Sequence, residues 1–126
     1  DNTKSIFNFG NKRFRSFRTK LKQADQNARD RYKEFINYSK TISNVKNSIG
    51  KRQVRLYKGR KTLAIVFFRG KTICIAFPLD PKEYENTKYK GIDASSVKRF
   101  ENTPMLIKLT SNRRVETAKY LLLQSM

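Results

Sequence analysis

TLAIVFFRGKTICIAF, residues 62 to 77, reads as two strands joined by a tight turn. The first run, TLAIVFF at 62 to 68, is apolar on both faces. The second, TICIAF at 72 to 77, sets Ile73, Ile75 and Phe77 on one face and Thr72, Cys74 and Ala76 on the other. Arg69-Gly70 between them is a hairpin signal, since glycine takes the positive φ that a tight turn requires. A two-residue loop at that dipeptide sets Val66 opposite Ile73 and Ala64 opposite Ile75. So apolar a hairpin must be covered, and the cover is sought on either side of it.

Upstream, KRQVRLYK at 51 to 58 alternates Val54 and Leu56 with basic and polar residues, as in a strand with one wet face. Before Gly50 the period changes. Phe14, Phe17, Leu21, Ala24, Ala28, Phe35, Tyr38, Ile42, Val45 and Ile49 fall three or four apart, interrupted where Arg31 takes the slot beside Tyr32. This predicts one long helix over residues 15 to 39, with Phe17, Leu21, Ala28 and Phe35 facing the hairpin. Ser39, Thr41, Ser43, Asn44 and Ser48 weaken helix propensity, so a shorter helical or irregular piece is expected up to Gly50. Residues 1 to 13 lack a sustained period and read as a basic arm or linker, leaving 14 to 126 as a single domain.

Downstream, Pro78 ends the strand, and Asp80-Pro81-Lys82-Glu83 carries an N-cap, a first-turn proline and a capping-box acid for a short helix. Residues 88 to 104 form a connector with room for one capped turn opening at Asp93 or Ser95. MLIKLT at 105 to 110 is the last strand candidate. Ser111 or Asn112 caps a helix over 113 to 124 that buries Val115, Ala118, Leu121 and Leu122. The expected fold is α+β: a long N-terminal helix and a C-terminal helix packed on a mainly antiparallel sheet of about four strands.

The 126 residues suffice for one core, which nine Phe and six Tyr help to fill. With 29 Lys and Arg against 10 Asp and Glu, the net charge is +19, a balance that calls for an anionic partner. Nucleic acid, an anionic membrane surface and an acidic protein all qualify, but no membrane partner is expected, because the first helix carries Asp25, Asp30 and Glu34 in its second half and needs its apolar stripe to cover the sheet. A single cysteine and no histidine exclude a disulfide framework and the commonest metal ligand and general base, and point to a reducing compartment. No membrane-length apolar run or secretory signal is present, so a cytoplasmic location is expected. Asp1 in place of an initiating Met suggests an excised domain or processed fragment.

GRKTLA at 59 to 64, RGKT at 69 to 72, LDPKEYENTKYK at 79 to 90 and NRRVETAKYL at 112 to 121 together resemble a family of small bacterial α+β domains with no established activity. More distantly, the paired strands, Asp-Pro, Tyr, Gly and closing helix look like the YjbR type of frataxin-like fold, which implies a DNA-binding role. The acidic ridge that frataxins use for iron has no counterpart in the basic first helix.

Chemistry by this chain is not expected: it is read as no enzyme. Asp80 and Glu83 are explained by capping, Cys74 by burial as a small hydrophobe, and the remaining acids match no metal-ligand spacing. No cofactor and no metal are therefore called. A nuclease-like enzyme is the lesser alternative and an acidic protein partner the nearer one.

Six bases lie between residues 11 and 22 and nine between 46 and 71, with no acid in either run. The proposed nucleic-acid contacts are Lys12, Arg13, Arg15 and Arg18 in the arm and first helix, then Lys51, Arg52, Arg55, Lys58, Arg60, Lys61, Arg69 and Lys71 around the sheet, with Tyr57 as a stacking face. Charge reversal among Lys88, Lys90, Lys98 and Arg99, where acids are interspersed, should matter less. No motif decides between RNA, a ribosome included, and DNA, and the oligomeric state is not legible.

Overall fold

The computed structural model describes residues 15–126; the arm, Lys12, Arg13 and Phe14 lie outside the described residues. The elements are α1 (Phe17–Gln23), α2 (Gln26–Lys40), β1 (Lys46–Ile49), β2 (Gln53–Lys58), β3 (Lys61–Arg69), β4 (Thr72–Phe77), a 3-10 turn (Pro81–Tyr84), β5 (Ile92–Asp93), a second 3-10 turn (Lys98–Phe100), β6 (Met105–Lys108) and α3 (Asn112–Gln124). The fold is α+β. Its sheet has six strands in the order β1-β2-β3-β4-β6-β5, every neighbour antiparallel, where about four were expected.

The two extra strands lie where the sequence signal is weakest. β1 is KNSI, mostly exposed, and follows Asn44, which turns the chain at φ 67; β5 is only two residues long. The stretch ending at Gly50 is therefore partly strand, since its Ser, Thr and Asn residues favour turns over a helix interior.

The single long helix is replaced by two. Ala24 is extended at ψ 158 and Asp25 at ψ 165, and the Asp25 carboxylate accepts from Ala28 N–H at 2.8 Å, starting α2 afresh. Arg29 donates to the Lys22 and Ala24 carbonyls, satisfying the open end of α1. An Asp in a continuous apolar stripe is thus a cap and not a solvated interior residue.

The β3–β4 loop is Gly70-Lys71, one residue later than Arg69-Gly70. Val66 accordingly faces Ile75 and Phe68 faces Ile73. Gly70 has φ 63 while Lys71 does not share the left-handed region, which is the pattern of a type II′ turn and requires glycine first. Gly59-Arg60 repeats it between β2 and β3, with Gly59 at φ 60. Because the register moves by two, each residue keeps its expected face. Leu63 has no opposite number in β2 and forms a bulge; it and Ala64 are both fully buried.

All three helices lie on one face. Phe17, Phe35 and Ile36 join Val115, Ala118, Leu121 and Leu122 over Val54, Leu56, Val66, Ile73, Ile75, Phe77, Met105 and Ile107. The buried hydroxyls of Ser39 and Ser125 donate to the Ile36 and Leu121 carbonyls of their own helices at 2.6 and 2.8 Å. No buried side-chain polar atom among the described residues lacks a partner. The short helix after Asp80 is a single 3-10 turn, capped by Asp80 accepting from Lys82 N–H at 3.0 Å. Ser111 caps α3 as expected. No helix among the described residues is long and apolar enough to cross a membrane.

Candidate nucleic-acid interface

Strand alternation assigns every second residue to the face away from the helices. The register makes these rows explicit: Lys46–Tyr57–Thr62, then Ser48–Arg55–Ile65–Ala76–Leu106–Ile92, then Gln53–Phe67–Cys74–Lys108, then Arg69–Thr72. Cations at Lys46, Arg55, Arg69 and Lys108 recur across this face. No carboxylate occurs anywhere in β1, β2, β3, β4 or β6.

Only part of this outer face is covered. Ala94 and Phe100, from the segment after β5, pack with Phe67, Cys74, Ala76 and Leu106 into a second small core at the β4–β6 side. Across β1 and β2, Lys46 and Ser48 are exposed and Gln53, Arg55 and Tyr57 half-buried. Arg55 is held in place there. Its Nε donates to Thr62 Oγ1 at 2.7 Å, its Nη2 to the Arg60 carbonyl at 3.4 Å, and its guanidinium lies 4.8 Å from the centre of the Tyr57 ring.

The proposed contacts do not form one continuous patch. A meander puts successive turns at opposite ends of the sheet, roughly 25 Å apart for a strand as long as β3. Lys51 and Arg52 in the β1–β2 turn, Arg69 at the end of β3 and Lys71 in the β3–β4 turn share one end with Arg15 and Arg18. The Phe17 N–H donates to the Lys51 carbonyl at 2.6 Å, which ties α1 to that end. A depression of about 300 Å³ lies there between Arg15, Lys20, Gly70 and Lys71, with Asp25 on its rim. Lys58, Arg60 and Lys61 occupy the opposite end, where Lys61 Nζ donates to the Met126 carbonyl at 3.2 Å. Arg55 and Tyr57 lie on the strand between the two ends.

Three cations on this face were outside the proposed set. Lys46 belonged to the second basic run but lacked a recognised strand, and Lys108 alternates with Ile107 in a strand that was expected, so period two alone could have found it. Arg99 had no sequence signal. Its guanidinium rests 4.9 Å from the centre of the Phe67 ring and 5.1 Å from that of Phe100, and it borders, with Arg69, a shallow pocket of about 280 Å³ on the outer face.

The acids are elsewhere or engaged. Glu34 of α2 and Glu116 of α3 both pair with Lys119, at 2.7 and 3.0 Å, on the helix side. The first of these contacts dominates the upward displacement of the lysine's pKa. Asp93 accepts from Ser95 Oγ at 2.6 Å and Ser95 N–H at 2.9 Å, which holds its carboxyl below the ordinary range. Burial pushes the Cys74 thiol up, against the pull of Arg69 and Lys108. Among the described residues no group of three or more His, Cys, Asp or Glu is placed to hold a metal ion. No family model matches the chain, and neither a curated protein nor a solved structure matches it.

Proposed function

We propose that the chain is a non-catalytic module that binds nucleic acid through the outer face of its sheet and the basic turns at its ends. The observation that carries this reading is the segregation of charge: cations recur on the outer face, five of the six strands hold no carboxylate, Asp93 of β5 is engaged by Ser95, and Glu34 and Glu116 are paired on the helix side. Charge kept only for solubility needs no such sorting. Phosphates meeting Lys46, Arg55, Arg69 and Lys108 would release counterions, so affinity must depend on salt.

Fluorescence anisotropy of labelled RNA and DNA across a salt series tests the reading. Log affinity should fall with log salt at about −0.9 per phosphate neutralised on duplex DNA and about −0.7 on single strands. Absence of binding to either at low salt, or tighter binding of poly-glutamate than of any nucleic acid, would overturn it; the second result would favour an acidic protein partner.

A further inference from the structure

We propose that the outer face is a stacking track selective for single-stranded nucleic acid, with two stations for unstacked bases. This rests on the nucleic-acid reading above and names the form of ligand. The first station is the Arg55–Tyr57 pair. Hydrogen bonds to Thr62 Oγ1 and the Arg60 carbonyl hold the guanidinium over the ring, so little rotamer freedom is left to lose when a base lies against it. Lys46, opposite Tyr57 in the register, is exposed beside it to meet a phosphate.

The second station is Arg99 on the Phe67–Phe100 pair, whose ring centres are 5.2 Å apart at an interplanar angle of 32°. Arg99 is exposed, while the rings beneath it are buried. Phe67 is directly opposite Gln53, two residues before Arg55 on the neighbouring strand. With ordinary strand spacing and rise, the Cα atoms of Phe67 and Arg55 are roughly 8 Å apart, within reach of neighbouring nucleotides on an extended strand.

The planar groups decide the ligand. A duplex keeps its bases stacked on each other and offers phosphates, sugars and base edges but no base faces for a planar group to meet. An acidic polypeptide would pair its carboxylates with the edges of the guanidinium groups and leave their faces and the aromatic rings unused. Guanidinium groups resting on aromatic rings at the outer surface suit bases already splayed from a strand.

The chain contains no Trp, so Tyr57→Trp installs a single reporter at the first station. Oligouridylate should quench its emission, and a duplex of equal length should not. Arg99→Lys keeps the charge and loses the plane; it should weaken single-strand binding about tenfold with an unchanged salt slope and leave duplex binding as it was. Tyr57→Ala should do the same and Tyr57→Phe should not, with thermal midpoints confirming that each variant is folded. Equal affinity for single strands and duplex, or bound oligouridylate without quenching, overturns the stacking track while leaving nucleic-acid binding standing. If anisotropy detects no nucleic acid bound in either form, both readings fall together.

Discussion

Val54 and Arg55 are neighbours in β2 yet belong to different environments: one is sealed under the helices, the other is held on an open surface by Thr62 and Tyr57. The covered face is built for stability. Its side chains interlock with three helices, and any lost volume leaves a void that the surroundings cannot fill. The outer face is uncovered across β1 and β2, where exposed and half-buried residues can change with little effect on folding, while its β4–β6 side is closed by the second small core. A protein divided in this way should yield two classes of variant, and the comparison fails if the classes mix.

Phe35 is fully buried and meets Phe77 edge-on, with ring centres 6.5 Å apart at 84°. Phe35→Ala should cost about 3 to 5 kcal/mol, a large share of an ordinary domain's stability. An unchanged thermal midpoint would dissolve the division at once. On the outer side, replacing Arg52, Arg55, Lys58 and Lys61 by Glu should weaken nucleic-acid binding on the order of a hundredfold at low salt and flatten the salt slope, with the midpoint little moved. Lys88, Lys90 and Lys98 serve as the control. If their reversal costs as much, net charge alone governs binding and the face has no special role.

Gly91 tests the boundary between the two classes, because it is partly exposed yet crowded. A Cβ there would meet the Leu106 carbonyl oxygen at 2.7 Å and Ile107 Cδ1 at 3.0 Å. Gly91→Ala should cost about 1 to 3 kcal/mol by forcing β5 and β6 apart, and denaturant unfolding would show it. Cys74, although on the outer side of the sheet, is covered by the segment after β5, and burial raises its thiol pKa. It should react with a thiol reagent far more slowly in the folded chain than in denaturant at the same pH. Equal rates would mean that the second small core is not closed.

The smallest expected effect is at Asp93. Its depressed carboxyl pKa contributes stability above the ordinary value of 3.8, and that contribution fades as pH falls through the depressed one. Ser95→Ala removes the main cause and should move the Asp93 titration upward in carboxyl NMR. No movement would mean that the Ser95 hydroxyl does not set it.

Much of the covered face was legible because burial writes itself as periodicity: TICIAF alternates, and Val115, Ala118, Leu121 and Leu122 repeat at helical spacing. Errors entered where local chemistry competes with period. Asp25 sits inside a stripe that is interrupted only at Arg31 yet caps a new helix, and KNSI has too few apolar residues to announce a strand, since β1 lies at the sheet edge and buries little. The candidate site was legible as charge but not as shape. The run from Lys46 to Lys71 is continuous in sequence, and the meander sends its turns to opposite ends. Arg99 comes from a connector and reaches the face only through the packing of Phe100 on Phe67.

The strand order also constrains the sequence of assembly. Four strands lie beside one another in chain order, with two-residue turns joining β2 to β3 and β3 to β4, so these pairings close short loops at small entropic cost. β5 precedes β6 in the chain but pairs with β6 alone, at the far edge. It reaches the rest of the sheet only through β6. The segment between them, which carries Arg99 and covers Cys74, therefore takes its final place only when β6 lies on β4, whereas the central hairpins can close without it.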